Sequence, residues 1–330
     1  MNSPFAPEAL VAVRPTGGLC NRLRVISSFQ VLARYTGREL RVCWGPSIGF
    51  SAEDLSELFD NQFARLSESE FEQLCADALC LHDVITPGWE GERVWQGDPV
   101  AGVREVLDAN ARPMVAYEGV FAVDGLVGPA AATQLPTSFR SDYLAELRMW
   151  RPVAPLRRVV DELAAGFDSG TVGVHARRGD AVIHHRLGRY FRQSSDAAFF
   201  ARMDRLLHED PGSTFFLATD SAETEARFRE RYGSVLRTNS EKQFVDSLPS
   251  QPKENQRDAV VDLFTLARTG HVLGSCYSSF SRAAADLGDV PLEVVLAHPF
   301  RYRVRGKLLQ GHRALRARAR SLARRLGSGR

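Results

Sequence analysis

Short apolar runs alternate along the chain with stretches in which apolar residues recur at helical spacing. Residues 10–14 form a run of the kind that buried strands show, and a turn with two glycines follows. Apolar positions at near-helical spacing predict a helix over residues 22–35, which Gly37 would end in a left-handed conformation. Residues 39–44 predict another strand, so the chain begins with a strand–helix–strand unit.

The second half of the chain repeats this alternation. Apolar runs predict strands at residues 171–174, 213–219, 234–237, 271–275 and 292–296. Helical spacing predicts helices at residues 156–165, 196–207, 223–232, 257–269 and 278–287. Strands that alternate with helices are typical of an α/β protein whose parallel sheet is covered by helices on both faces.

The pattern is weaker between residues 50 and 150. Helices are plausible at residues 52–59 and 68–78, and another begins near Pro136, but their spacing predicts no topology. The simplest architecture is two Rossmann-like αβα domains that face each other across a cleft. Residues 1–150 would form the first domain, on the acceptor side, and residues 151–300 the second, which binds the ligand.

Composition narrows the class of protein. The chain has 330 residues, 44% of them hydrophobic and 25% charged, which is typical of globular proteins and suggests about two domains. Its apolar runs are shorter than a membrane span requires, and its first residues lack the basic and apolar regions of a signal peptide. Five scattered cysteines suggest reduced thiols, so we expect a cytoplasmic protein.

Charge is unevenly distributed. Residues 301–330 hold 11 of the 42 Lys and Arg residues and no Asp or Glu, so the remaining residues are acidic overall. Leucines recur among these arginines at mostly heptad spacing, as in a basic amphipathic helix. Such a helix suits peripheral contact with an anionic membrane, with nucleic acid or with an acidic partner, but a helix packed on the protein body fits equally well.

The segment from Thr171 to Asp180 carries the strongest chemical signal. Its apolar start predicts a buried strand, and it ends in His175, Arg177, Arg178 and Asp180. Parallel sheets bind ligands outside the carboxyl ends of their strands, and arginines there suit bidentate contacts with phosphate or carboxylate. The alternative is an ordinary strand end with solvated arginines.

A glycine-bearing loop follows the first predicted strand. Gly17, Gly18, Asn21 and Arg22 lie between that strand and the helix after it, where the backbone can approach an anion closely and Asn21 could cap the helix. The loop departs from the dinucleotide-binding pattern, since no acidic residue ends the next strand. A tight structural turn explains it equally well.

A serine-rich loop follows the strand predicted at residues 271–275. Ser278 and Ser279 fall at the start of a helix, where hydroxyls and unpaired backbone N–H groups can cradle a phosphate, although simple helix capping explains them as well. Asp258 and Asp262 lie one turn apart on the preceding helix, and either could be an ordinary exposed charge. Together the three loops suit a diphosphate.

These motifs occur in an order that resembles the fucosyltransferase superfamily, which includes α-1,6-fucosyltransferases, bacterial nodulation fucosyltransferases and protein O-fucosyltransferases. The residues that carry the resemblance are Gly-Gly-Leu-x-Asn-Arg near the start, His-x-Arg-Arg-x-Asp in mid-chain, and Asp-Leu-x-x-Leu-Ala-Arg with Gly-Ser-x-x-Ser-Ser-Phe-Ser near the end. It covers residues 11–40 and about 171–290 well and residues 50–150 poorly. An α-1,2-type fucosyltransferase is a close alternative, but its usual Gly-Asn-Gln-Met-Phe is replaced here by Asn21-Arg-Leu-Arg.

The resemblance implies a GT-B fold and an inverting glycosyltransferase that uses a GDP-sugar, most simply GDP-fucose, without a metal or other cofactor. By similarity, His175 and Asp262 would read guanine, and Asp220 would lie near the nucleoside. Arg177 would hold the β-phosphate, helped by Ser278 or Ser279. Gly17, Gly18, Asn21 and Arg22 would approach the donor from the opposite domain.

The chain departs from the α-1,6 members immediately after this motif. Ala181 stands where they have a lysine, and no glutamate follows nearby. The acceptor hydroxyl must still lose a proton, so Asp180, His184 and His185 are the candidates for a general base. The departure leaves the acceptor open among a carbohydrate, a glycolipid, a peptide and a small molecule, and it leaves open a different GDP-hexose as the donor. A nucleic-acid-binding protein is the rival class, and the acidic body of the chain argues against it.

Overall fold

The chain forms an α/β fold with two parallel sheets. The computed structural model describes residues 10–46, 54–75, 79–80, 114–118, 138–178, 192–244 and 253–298. Within these ranges it has mixed α/β structure, as the alternating pattern predicts. The candidate residues Asp180, His184 and His185 and the basic segment 301–330 lie outside the described residues.

The first sheet has five strands in the order β3-β2-β1-β5-β4, all of them parallel. They are β1 (Leu10–Pro15), β2 (Glu39–Val42), β3 (Ala64–Arg65), β4 (Leu79–Cys80) and β5 (Met114–Glu118). Helix α1 (Leu19–Tyr35) connects β1 to β2, so the predicted strand–helix–strand unit is confirmed. Gly37 follows α1 at φ +64°, the left-handed conformation that the sequence predicts.

Four more helices precede the second sheet: α2 (Leu55–Leu58), α3 (Glu68–Cys75), α4 (Phe139–Leu147) and α5 (Ala154–Leu163). Helix α2 is shorter than the sequence predicts, and α3 begins at Glu68, as predicted. Asp54 caps α2, since its side chain accepts a hydrogen bond from the Ser56 backbone at 2.9 Å, which fixes where that helix begins.

The second sheet also has five parallel strands, in the order β10-β9-β6-β7-β8. They are β6 (Thr171–Ala176), β7 (Thr214–Thr219), β8 (Leu236–Thr238), β9 (His271–Gly274) and β10 (Leu292–Val294). The connecting helices are α6 (Asp196–Glu209), α7 (Ala222–Tyr232), α8 (Lys253–Leu266) and α9 (Ser279–Gly288). A 3₁₀ turn at Gly233–Val235 delays β8 by two residues relative to the prediction.

In each sheet, later strands lie on both sides of the strand that comes first in the chain, β1 in the first sheet and β6 in the second. In the second sheet β7 and β8 extend to one side of β6, and β9 and β10 extend to the other. The connections therefore leave β6 and β9 in opposite directions, an arrangement that in doubly wound sheets leaves a crevice at the carboxyl ends of the strands. Doubly wound sheets bind ligands at such a switch point. The first sheet has its own switch point between β1 and β5.

Helices and a continuous apolar core join the two sheets. Buried residues of β1, α1 and α4 belong to the same hydrophobic cluster as buried residues of β7, α8 and α9. Trp150 is 2% exposed, and its Nε1 donates to the Ser27 hydroxyl at 2.9 Å. The Arg148 side chain donates to the Asp286 carbonyl at 2.9 Å. The proposed division into domains at residue 150 stays a prediction.

Glycine allows α9 to lie close against β9. A methyl group at Gly274 would come within 2.6 Å of the Ser281 Cβ and 2.8 Å of a Leu292 methyl. Carbon atoms in contact normally lie about 3.5–4.0 Å apart, so a larger residue at this position would displace the helix. Among the described residues, no helix is long and apolar enough to span a membrane.

Candidate functional site

The switch point of the second sheet brings two of the three predicted motifs together. His175 on β6 pairs in register with Gly274 on β9, so the loops that follow these strands leave the sheet side by side. All six residues of β6 are buried, which confirms the predicted buried strand. The His-x-Arg-Arg segment and the serine-rich loop therefore line one crevice.

His175 is held by the first turn of α9. Its Nδ1 lies 2.7 Å from the Ser281 hydroxyl and 3.4 Å from the Ser278 hydroxyl. Its ring stacks on Phe280, with centroids 4.6 Å apart and planes 19° apart. The imidazole is thus fixed on one edge and one face.

His175 is neutral at physiological pH. Burial lowers its pKa well below the ordinary value, and nearby positive charges lower it further, those of Arg177, Lys242 and Arg178. A neutral imidazole offers one N–H donor and one acceptor nitrogen, which suits hydrogen bonding to a base or sugar better than pairing with an anion.

Ser275 fixes the backbone that carries Arg177. Its hydroxyl donates to the His175 carbonyl at 2.9 Å and accepts from the Arg177 backbone N–H at 2.9 Å. The next residue, Cys276, donates its backbone N–H to the Ser194 hydroxyl at 2.7 Å. The two loops are therefore tied to each other and to the segment before α6.

The charge of Arg177 acts on residues from both halves of the site. It is half-buried, and its charge acts on both His175 and Cys20, the second residue of α1. Burial raises the pKa of the Cys20 thiol to about 12, while the charges of Arg24 and Arg177 act in the opposite direction. The thiol is thus protonated, and Arg177 lies near the start of the helix that follows the glycine loop.

Arg178 was predicted to bind the donor together with Arg177, but its side chain binds a carboxylate of the protein instead. Its guanidinium donates to Asp196 through Nε at 3.1 Å and through Nη2 at 2.5 Å. Asp196 also accepts from Arg227 at 2.7 Å, and its side chain is 16% exposed. Arg178 is thus held by a carboxylate at the start of α6, and we assign it to positioning the loop.

Asp220 follows β7 directly and binds the same loop. Its Oδ1 accepts the backbone N–H of Arg178 at 2.6 Å. The residue is exposed at the carboxyl end of the strand, beside β6. Its role near a nucleoside stays a prediction.

Asp262 is a buried member of an ion pair. It is 3% exposed, so the interpretation of it as an ordinary exposed helix charge is wrong. Its Oδ2 accepts from Nζ of Lys242, which also donates to the Thr219 carbonyl at the end of β7. Burial raises the pKa of Asp262 to about 6, and Lys242 acts in the opposite direction.

The glycine loop of the first sheet opens α1. Gly17 has φ +72°, and Gly18 is the residue before the first helical turn, with no side-chain cap. Asn21 is the third residue of α1, so the prediction that it caps the helix is wrong. Arg22 is fully buried; its Nε donates to the Gly17 carbonyl at 3.0 Å and its guanidinium lies 4.8 Å from the centre of the Trp44 ring.

The hydrogen bond from Arg22 to the Gly17 carbonyl holds the arginine and the loop in a fixed relative position. With no side chain at Gly18 and 4 Å of open space where its Cβ would be, the N-terminal turn of α1 is accessible to a ligand. Arg22 fixes the loop that shapes this turn.

The serine-rich loop ends at the start of α9. Ser278 caps the helix, accepting from the Ser281 backbone N–H at 3.4 Å, and Ser279 is the first helical residue, as predicted. Tyr277 precedes them in a left-handed conformation with φ +64°, and it is 55% exposed. A left-handed tyrosine is strained, and such strain concentrates at functional loops.

The arrangement offers groups that can bind an anion beside a neutral imidazole. The N-terminus of α9 offers backbone N–H groups and two hydroxyls, Arg177 supplies positive charge, and His175 offers neutral hydrogen-bonding atoms. Among the described residues, no group of three His, Cys, Asp or Glu side chains could hold a metal ion.

Comparison with known proteins concerns the fold. No protein-family model matches the chain, and no curated protein matches it. The fold is similar to that of a mutant of Arabidopsis thaliana FUT1 in complex with GDP, with a TM-score of 0.55 and 14% identity over 88% of this chain and 71% of that chain. The chain has the fold of fucosyltransferases.

Two further structures have lower TM-scores. Fucosyltransferase NodZ from Bradyrhizobium gives a TM-score of 0.50 and 17% identity over 84% of this chain and 92% of that chain. POFUT1 in complex with GDP-fucose gives a TM-score of 0.48 and 13% identity over 87% of this chain and 97% of that chain. At these identities the likeness concerns the fold.

The sequence predicts most of these residues but not the residues that hold them in place. It missed Lys242, because a single lysine in an irregular segment between predicted elements carries no pattern. Ser275 and Ser281 lie inside the motif that was recognised, but which hydroxyl contacts His175 depends on the packing of α9.

Proposed function

We propose that the protein is an inverting glycosyltransferase that transfers a sugar, L-fucose, from a GDP-sugar to a hydroxyl of an acceptor. The observation that carries the proposal is the switch point between β6 and β9, where His175, Arg177 and the start of α9 meet. The shared fold supports it, since the similar A. thaliana structure is a complex with GDP.

The diphosphate fits the charged side of the crevice. In transfer, the acceptor oxygen forms a bond to the anomeric carbon, and the bond from that carbon to the β-phosphate oxygen breaks. The bonding electrons leave with GDP, so negative charge grows on the β-phosphate. Arg177 and the N-terminal N–H groups of α9, with Ser278 and Ser279, offset this growing charge, which is often the largest catalytic contribution.

The base fits the buried side of the crevice. His175 is neutral and is held by Ser281. The buried carboxylate of Asp262 can accept hydrogen bonds from N–H donors. Guanine presents such donors in a different arrangement from uracil. In this scheme the acceptor proton passes to a general base, for which Asp180, His184 and His185 remain the candidates. Gly17 and Gly18 would face the donor from the first sheet.

Nucleotide binding tests the proposal without an acceptor. We expect calorimetry without added metal to show GDP binding at least about tenfold tighter than UDP or ADP binding, because one well-matched buried contact contributes about 1.4 kcal/mol or more. A folded protein that binds none of the three nucleotides contradicts the proposal. A panel of acceptors with GDP-fucose, read by GDP release, would then identify the acceptor class and the sugar.

Substitution of Arg177 tests the role of the charge. Arg177→Ala removes a charge-assisted contact, so GDP should bind roughly 10–100 times more weakly while the fold persists. The matched control is Arg158→Ala, because the Arg158 side chain is 76% exposed on α5 and pairs with Glu162 one turn away. Equal GDP affinity in the two variants would exclude Arg177 from the site.

A further inference from the structure

The ion pair between Lys242 and Asp262 is among the most buried in the described residues. The two side chains are 7% and 4% exposed, and they come from different elements, the segment after β8 and helix α8. Removing two charges from water is costly and is often not recovered in stability. Stability of the fold alone therefore does not explain why this buried ion pair lies at the end of a sheet.

The two oxygens of Asp262 are used unequally. Oδ2 accepts from Lys242, whereas Oδ1 is buried and makes no hydrogen bond within the part of the chain that the structure describes. A buried charged oxygen without a donor is rare, because it forgoes hydration without replacement. Such an oxygen is satisfied when a ligand supplies an N–H or O–H group.

The pair lies next to His175. Nζ of Lys242 also contacts the carbonyl of Thr219, which pairs with Ala176 on β6, and the Thr219 hydroxyl donates to the Ala176 carbonyl at 2.6 Å. The positive charge of Lys242 lowers the pKa of His175. The ion pair and the imidazole thus belong to one end of the sheet.

We propose that Lys242 is a positioning residue for nucleotide recognition: it holds the Asp262 carboxylate by Oδ2 and leaves Oδ1 to accept an N–H from the base of the donor. This inference rests on the proposed function, and it assigns to Lys242 a role that concerns the base and not the diphosphate. Guanine suits this acceptor because its ring N–H and amino group both donate.

The charges around Asp262 make the protonation state of the carboxyl sensitive to Lys242. Burial raises its pKa to about 6, Asp258 and Glu225 raise it as well, and Lys242 lowers it through its charge and its hydrogen bond. Without Lys242 the pKa should rise above this value, so we expect a larger protonated fraction of the acid near neutral pH. A protonated carboxyl loses acceptor capacity toward an N–H donor.

The experiment compares Lys242→Met with wild type by GDP calorimetry at several pH values from 5 to 9. The terminal phosphate of GDP itself titrates near about 6, so the readout is the ratio of the two dissociation constants at each pH. The ratio should be near one at pH 5, where both carboxyls are protonated. It should reach at least about tenfold near pH 7 and decrease again toward pH 9, because one pKa unit is a tenfold change in protonation.

A merely structural lysine gives a different result. Its loss would weaken GDP binding by a similar factor at every pH, or not at all, and either outcome overturns the proposal. Lys242→Arg keeps the charge and should keep the ratio near one throughout. Arg158→Met serves as the control for loss of an exposed cation.

Two further variants keep the test decisive. If Lys242→Met does not fold, the double variant Lys242→Met with Asp262→Asn buries no unpaired charge. It should bind GDP weakly with a ratio to Asp262→Asn alone near one, since the lysine acts through the aspartate; a large ratio overturns the proposal. If wild type binds no GDP at any pH, the proposed function fails, which is distinguishable from failure of the lysine's role.

Discussion

The contact between α9 and β9 at Gly274 can be tested by adding one methyl group. In Gly274→Ala the new Cβ would lie 2.6 Å from the Ser281 Cβ and 2.7 Å from its hydroxyl oxygen. Because carbon contacts require about 3.5 Å or more, the start of α9 must move by about 1 Å. Ser281 holds His175 at 2.7 Å, so the same movement loosens the imidazole.

The magnitude follows from three contributions. Overpacking a buried site costs about 1–3 kcal/mol. Weakening the hydrogen bond between Ser281 and His175 adds about 0.5–1.5 kcal/mol. Replacing glycine restricts the unfolded chain and offsets about 0.4–1 kcal/mol of this. The free energy of unfolding should therefore fall by about 1–3.5 kcal/mol, since the glycine contribution only partly offsets the other two.

Urea denaturation measures the loss, and GDP affinity measures its effect at the site. The control is Gly45→Ala, because a methyl group there meets nothing within 4 Å, and it should change stability by less than about 0.5 kcal/mol. We expect GDP binding to weaken about fivefold in Gly274→Ala, which corresponds to about 1 kcal/mol, and to be unchanged in the control. Equal stability of the two variants would refute the inferred close approach of α9.

The remaining predictions concern the charged groups. Arg178→Ala leaves Asp196 paired with Arg227 alone, so the free energy of unfolding measured in urea should fall by about 1–3 kcal/mol. In the control Arg158→Ala it should fall by less than about 0.5 kcal/mol. Equal losses in the two variants would exclude a role of Arg178 in holding the loop. Because the pKa of His175 is lowered in the folded protein, its contribution to stability is present above about pH 6.5 and lost as the pH falls below it, by up to about 1.4 kcal/mol per pH unit. The difference in unfolding free energy between wild type and His175→Asn should therefore decrease between pH 7.5 and 5.5, and a constant difference would contradict burial of the neutral imidazole.

Strand positions in the second sheet were predictable because parallel strands buried on both faces consist of short apolar runs. Residues 171–174, 213–219 and 271–275 were identified as strands, and β6, β7 and β9 confirm them. The 3₁₀ turn at Gly233–Val235 was not anticipated, because a glycine after a helix predicts its end but not how the next residues turn.

Helix starts were predicted less well where no side chain caps them. Asn21 was a plausible cap by residue type, but Gly18 holds that position, and the extended conformation of the glycine itself leads into α1. Ser278 was predicted correctly, because a serine before an apolar helical pattern is a frequent cap.

Charged residues differ in how far their sequence position predicts their role. Arg177 and Arg178 are adjacent, and both were assigned to the donor, yet Arg178 turns to Asp196, which lies 18 residues later in the chain. Asp262 was assigned by resemblance, but its partner Lys242 lies 20 residues earlier, across the sheet edge. Ion pairs between separate elements depend on the topology, so spacing along the chain cannot predict them.

The neutral state of His175 limits the chemical roles that this residue can have. An imidazole whose pKa is well below its ordinary value is a weak base, so His175 is poorly suited to remove the acceptor proton. Its stacking on Phe280 and its contact with Ser281 fix the ring instead, as recognition of a rigid ligand requires. The proposed proton acceptor therefore has to come from another residue, and the segment that follows Arg178 supplies the candidates Asp180, His184 and His185.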